Sequence, residues 1–143
     1  MEIALIASET KKELMIQFCI AYCGVLAKHN ICATKATGLA VAEATGLEIE
    51  QLLPGNQGGI QQIASRIAYN EIDVLLYFRD ANDDPGHMLI DAALMRECDR
   101  SNVPTATNIA TAEVVITARD RGDLDWREYQ NPKSEYNRNA KKH

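Results

Sequence analysis

A chain of 143 residues, 46% apolar and 24% charged, has the size and make-up of one globular domain that buries a core without disulfide or metal staples. The net charge of −5 argues against a general nucleic-acid binder, and no apolar run approaches the roughly 18 residues of a membrane span. Neither nucleic acid nor membrane is therefore expected as a partner, and with no leader ahead of the first strand the expected setting is cytoplasmic. Cys19, Cys23, Cys32 and Cys98 lack repeated metal-ligand spacing, so they are expected to be free, buried thiols, with no metal and no cofactor.

The opening run EIALIA (2–7) suits a buried parallel strand. Thr10 then reads as the cap of a helix over 11–29, with Leu14, Phe18, Tyr22 and Val25 on one face. ICAT (31–34) is a second strand, and TGLAVAEATG (37–46) a short helix stopped by Gly46. EIEQLLPG gives a brief strand and a turn, followed by a helix over 58–69. IDVLLYF (72–78) is almost wholly apolar and reads as an interior strand, leading into the loop RDANDDPGH (79–87). A helix over 87–100, a strand at VPTAT (103–107) and a helix over 108–118 complete a domain of residues 1–120. The polar remainder, 121–143, carries the only tryptophan, Trp126, and is expected to be a partly ordered tail, held against the body or a neighbouring subunit.

Strand and helix alternate five times with short connections. That pattern predicts a single-domain α/β/α sandwich with a five-stranded, mostly parallel sheet. Ligands in such folds bind beyond the C-terminal ends of the strands. Those ends are Ser8–Lys12, Thr34–Gly38, Pro54–Ile60, Arg79–His87 and Thr107–Asn108. Thr34 and Thr37 flank one helix start, Gly55, Gly58 and Gly59 another, and Lys12 supplies a cation, which together suit a phosphate cradle. Singly each has an ordinary explanation: a threonine before a helix is usually a cap, and Lys12 a solvated helix lysine. His87 reads equally as a helix-start residue, Asp83 or Asp84 as its cap, and the run 82–84 as a solvated loop. His29 has a favourable dipole contact at a helix C-terminus. Ile60 is the odd member, because in GGIQQIASRI it stands where a glycine turn aims a side chain into a site. With Ile63 and Ile67 it also forms an apolar stripe at helical spacing.

The runs ATKATGLAVAEATGL, PGNQGGIQQIASRI, IDVLLYFRD and VPTATNIATAEVVI, in order and almost gap-free from about residue 3 to 118, resemble methylglyoxal synthase. The chain is identified as a member of that enzyme's superfamily, whose relatives include the regulatory domain of carbamoyl phosphate synthetase and the cyclohydrolase domain of a purine-pathway enzyme. The resemblance implies a homo-oligomer, usually a hexamer. It also implies a carbon–oxygen lyase that deprotonates dihydroxyacetone phosphate and lets the enediolate expel phosphate, leaving methylglyoxal.

By the same resemblance the phosphate-holding positions are Lys12, Thr34, Ala36, Thr37, Pro54 and Gly55, of which Ala36 and Pro54 replace hydroxyl residues. Ile60 takes the place of the general-base aspartate, and Ser8 and Glu9 that of a His–Asp pair. Asp80 and His87 are retained, and Ile90, beside Asp91, takes the place of a further aspartate. Asp80, His87 and Glu9 are thus the candidates for catalysis, and Lys12, Thr34, Thr37 and Gly55 for phosphate binding, with catalysis impaired or rewired by Ile60. The alternative is a non-catalytic module that senses a small phosphorylated metabolite or inorganic phosphate, like the regulatory domain named above. Leu39 and Val41 are candidates for a subunit surface.

Overall fold

A computed structural model of the chain describes residues 1–82 and 86–140. The apolar runs become five strands: β1 (Glu2–Ala7), β2 (Asn30–Ala33), β3 (Ile49–Gln51), β4 (Val74–Phe78) and β5 (Thr105–Ala106). They lie in the order β3-β2-β1-β4-β5, and all four pairings are parallel. β1 sits at the centre with Ile3 opposite both Ile31 and Val74, which is why its whole interior is apolar.

Helices cover both faces. They are α1 (Lys12–Ala21), α2 (Cys23–Leu26), α3 (Lys35–Thr45), α4 (Gly59–Ala68), α5 (Gly86–Ser101), α6 (Ile109–Asp120) and α7 (Glu135–Ala140). The two-residue period of the strands divides the core. Ile3, Leu5, Leu76 and Phe78 pack with Met15, Phe18, Val41 and Ile116 of α1, α3 and α6. Ala4, Ile6, Leu75 and Tyr77 pack on the other side with Ile60, Ile63 and Ile67 of α4 and Leu94 and Cys98 of α5. The fold is the single-domain α/β/α sandwich that the alternation predicts, with a wholly parallel sheet.

Local differences have local causes. The helix expected over 11–29 is split: a 3-10 turn at Glu9–Lys11 precedes α1, and Tyr22 (φ −107, ψ 21) separates α1 from α2. The sequence AYCG around that break is poor in strong helix formers after its alanine, and re-angling the chain there lets Leu26 become fully buried. The deep stripe of α1 is Met15, Phe18 and Cys19, while Leu14, Tyr22 and Val25 are only half-buried. Thr10 does not cap the helix: Lys11 holds that position, and the Thr10 hydroxyl donates to Asp80 Oδ2 at 2.7 Å. Val41 lies in the core at 1% exposure and presents nothing to a neighbour, whereas Leu39 is 48% exposed. Gly46 stops α3 in the left-handed region at φ 74, as its position predicts.

Beyond α6 the chain turns through Asp125–Tyr129 into α7 and buries Arg127 completely. The Arg127 guanidinium donates to Asp73 Oδ1 at 3.2 Å and to the carbonyls of Ile72, Ser101 and Asn102. Asp73 Oδ2 accepts from Asn131 Nδ2 and from the Glu2 amide, each at 2.9 Å. Cys19, Cys32 and Cys98 are buried free thiols and Cys23 is half-buried. Burial pushes Cys19 and Cys32 up to about 12, which leaves them inert. His29 is not a charged dipole partner. Partial burial, and then the nearby Met1 amino group, push its pKa down to about 4, so the ring is neutral near pH 7. Asp83 and Asp84 lie outside the described residues.

Candidate functional site

Three strand-to-helix turns converge at the C-terminal edge of β1, β2 and β4. The first follows β1. The Ser8 amide donates to Phe78 O at 2.9 Å, its hydroxyl accepts from the Asp80 amide at 3.2 Å, and a 3-10 turn then brings in Lys12. Lys12 is mostly buried, and its ammonium is paired with the Glu9 carboxylate, whose side chain is 87% exposed.

The second turn joins β2 to α3. Thr34 occupies the cap position but makes no side-chain cap bond, so the ordinary explanation for it fails. Its hydroxyl lies 3.3 Å from that of Thr37, which also accepts from the Ala7 amide at 3.2 Å, and both threonines are buried. One hydroxyl hydrogen serves the contact between them, leaving the other for a ligand. The amides of the first turn of α3 have no acceptor within the helix, which adds a positive end to the same spot.

The third turn, 53–58, is held tight by glycine. A Cβ on Gly59 would stand 2.1 Å from Leu53 O, and Gly58 has φ +101. Gly55 is different: the atoms nearest a Cβ there would be Ile60 Cδ1 and Cγ1 and Thr34 Cγ2, each at an ordinary 3.9 Å. Gly55 is therefore open toward the site rather than forced by strain. Ile60 follows at the start of α4, only 4% exposed, and extends the stripe of Ile63 and Ile67 into the core.

These turns enclose a pocket of about 340 Å³ whose lining includes Glu9, Lys12, Thr34, Thr37, Gly55, Ile60 and His87. The sequence-predicted residues thus come together with one exception. Asp80 does not line the pocket; it is tied to the Thr10 hydroxyl and the Asn82 amide, which hold its carboxyl below the usual carboxylate range. The Nδ1 of His87 is buried and has no hydrogen-bond partner among the described residues. Among the described residues no cluster of His, Cys, Asp and Glu is arranged to hold a metal ion. A larger cavity, about 700 Å³, opens at the opposite end of the sheet, but Glu2, Glu48 and Glu50 line it and make it unsuited to an anion.

Two further polar residues line the pocket that sequence reasoning does not single out, Asn56 and Tyr77. The Tyr77 hydroxyl donates to Asp91 Oδ1 at 2.9 Å, and Asp91 lies 3.9 Å from Arg79. The signal for Tyr77 was present: it is the one polar-tipped residue in VLLYF and shares the α4/α5 face with Leu75.

Residues 15–107 match the family model described as the MGS-like domain. The chain belongs to the methylglyoxal-synthase-like family. Methylglyoxal synthase of Caldicellulosiruptor saccharolyticus is 55% identical over 141 residues, spanning 99% of this chain and 100% of that protein. Methylglyoxal synthase of Thermoanaerobacter pseudethanolicus is 49% identical over 130 residues, 91% of this chain and 98% of its own. The crystal structure of methylglyoxal synthase from Elizabethkingia anophelis NUHP1 superposes with a TM-score of 0.72 at 33% identity, covering 80% of this chain and 76% of that one. No described helix of this methylglyoxal synthase homologue is long and apolar enough to cross a membrane.

Proposed function

We propose that this methylglyoxal synthase homologue binds a small phosphorylated metabolite, or inorganic phosphate, on Lys12, Thr34, Thr37 and Gly55, and that its lyase chemistry is impaired. The observation that carries this reading is the pocket's inventory of acids. Among the described residues its only carboxylate is Glu9, whose side chain is exposed and paired with Lys12. A general base must reach the substrate's proton at about 2.6–3.2 Å and hold a pKa near the working pH. Ile60 cannot titrate, Glu9 is committed to the cation, and Asp80 stands outside the lining with its basicity lowered. The cradle by contrast keeps a cation, a hydroxyl hydrogen and a helix N-terminus aimed at one spot. A regulatory, ligand-sensing module is the function that fits a site able to hold phosphate and unable to abstract a proton.

Residual conversion of dihydroxyacetone phosphate to methylglyoxal and phosphate is the second reading, favoured by the buried His87 Nδ1, which has no partner among the described residues. Homo-oligomerisation, as a hexamer in the cytoplasm, is part of the proposal; the exposed side chains of Leu39, Tyr69 and Val114 supply apolar surface for it.

The test pairs calorimetric binding of phosphate with phosphate release from dihydroxyacetone phosphate, for the wild type and for Ile60→Asp. The wild type should bind phosphate and turn over slowly, since a missing positioned base costs about 10²–10⁴ in rate. Ile60→Asp should raise turnover at least about tenfold, the low side of that range, because Ser8 and Glu9 remain unchanged. It should also lose about 2–4 kcal/mol of stability, because Ile60 packs in the α4 stripe. Efficient turnover by the wild type would overturn the impaired-catalysis reading.

A further inference from the structure

The pocket that holds the phosphate cradle has a hydrocarbon wall at Ile60, beside the polar tips of Asn56, Tyr77 and His87. Ile60 is shared between the anion pocket and a second, mostly apolar cleft of about 220 Å³ between α4 and α5, lined also by Gln61, Ala64, Leu89, Ile90, Ala93 and Leu94. Ile60 and Ile90, the two positions where the resemblance implies aspartates, therefore border one cleft. Ile90 is half-buried against the same core as Ile60, while Leu89 is 82% exposed, so the cleft opens to solvent beside the site. Gly55 fixes the distance scale: a Cβ there would lie 3.9 Å from both Ile60 Cδ1 and the Thr34 methyl, so Ile60 and a residue of the cradle stand within one side chain's reach of each other.

From this juxtaposition we infer that the ligand is a phosphate monoester carrying a short apolar group, its phosphate on Lys12, Thr34 and Thr37 and its hydrocarbon over Ile60 into the cleft at Leu89 and Ile90. The inference deepens the proposed function and rests on its anion site. A polar ester such as a triose phosphate would set its hydroxyl and carbonyl against Ile60 and Ile90, which offer no hydrogen bond, and would lose water there, with the exposed Gln61 at the rim as the polar side chain of the cleft. An alkyl group loses nothing polar and gains burial. The space is ample, since an apolar cavity of about 150 Å³ suffices for benzene. Each buried methylene strengthens binding about fourfold, the equivalent of about 0.8 kcal/mol.

Calorimetry on the intact protein with inorganic phosphate, methyl phosphate, n-butyl phosphate and glycerol 1-phosphate tests this, alongside the Leu89→Ser variant, whose altered side chain is already exposed. Butyl phosphate should bind at least about tenfold tighter than methyl phosphate, a conservative reading of three added methylenes, and tighter than glycerol 1-phosphate. In folded Leu89→Ser the butyl-to-methyl ratio should fall at least threefold. If inorganic phosphate binds but the alkyl series is flat, or glycerol 1-phosphate binds best, the inference is overturned while the anion site stands. If no phosphate compound binds, the anion site fails and the inference with it. A butyl preference that survives Leu89→Ser assigns the hydrocarbon elsewhere and overturns the cleft. A flat series in which Leu89→Ser lowers the molecular mass by light scattering identifies the cleft as a contact between copies of this chain, which also overturns it.

Discussion

The two ends of the parallel sheet treat buried polar groups in opposite ways. At the strand N-termini, Asp73 and Arg127 are 2% and 0% exposed, and each spends its hydrogen-bonding capacity on fixed partners: Arg127 on Asp73 and three carbonyls, Asp73 on Arg127, Asn131 and the Glu2 amide. At the strand C-termini, Thr34 and Thr37 keep one hydroxyl hydrogen in hand, His87 Nδ1 has no partner among the described residues, and Lys12 is paired with an exposed carboxylate. A buried polar group that is fully bonded stabilises, and one that is left short waits for something else to bond it. The first arrangement marks structure and the second marks a site.

The sharpest way to break this contrast is at Arg127. Arg127→Met removes the cation paired with the buried Asp73 carboxylate and strands three carbonyls, so it should cost about 3–5 kcal/mol in denaturant unfolding. At temperatures where the variant is folded, its phosphate affinity should match the wild type. A loss below about 1 kcal/mol would mean that the network is not the clamp its geometry suggests.

The converse substitution is Lys12→Met. A charge-assisted hydrogen bond contributes about 1.5–3 kcal/mol, so phosphate affinity should fall about ten- to a hundredfold by calorimetry. The melting temperature should barely change, because the ion pair being removed is with an exposed glutamate and exposed pairs contribute little. Loss of stability without loss of affinity would reverse the assignment of the two ends.

Much of this contrast was legible in the sequence. EIALIA and VLLYF announce interior parallel strands because both faces must be apolar, and Gly46 and Asn108 punctuate helices by their own conformational and capping chemistry. The pocket followed from strand ends alone, since the topology of a parallel sheet brings them to one edge. Arg127 was not legible, because its partner is 54 residues away and a polar tail has no periodicity to betray a buried member. Nor was the direction of Asp80, which depends on Thr10 giving its hydroxyl to that carboxylate rather than to a helix end. Tyr77 differs again: its polar tip is visible in VLLYF, but on a strand whose other members are all apolar it reads as core.

A smaller effect separates the ends by pH. His29 lies at the N-terminal end, its folded pKa depressed by burial first, then by the Met1 amino group, Arg119 and Lys28, with Asp120 opposing. Between about 4 and 6.5 the unfolded chain binds the proton that the folded one excludes, so stability contributed by neutral His29 is complete above about pH 6.5 and lost as pH falls through that window. His29→Gln should flatten this part of the stability–pH curve, measured by thermal melts from pH 4 to 7.5. An unchanged slope would assign the acid sensitivity to other groups.

The smallest expected effect tests what holds Lys12 in waiting. Glu9 competes with any incoming anion for the Lys12 ammonium and adds a negative charge at the pocket mouth. In Glu9→Gln the competition weakens and the repulsion disappears, so phosphate should bind more tightly. An exposed pair is worth only about 0.2–1 kcal/mol, which limits the gain to about fivefold and makes it fade as salt screens the site. If Glu9 instead acts as a substitute base, Glu9→Gln would abolish residual phosphate release from dihydroxyacetone phosphate. Tighter binding with turnover unchanged identifies Glu9 as a gatekeeper of charge, while unchanged binding with turnover lost makes it the catalytic carboxylate and moves the balance toward a working lyase.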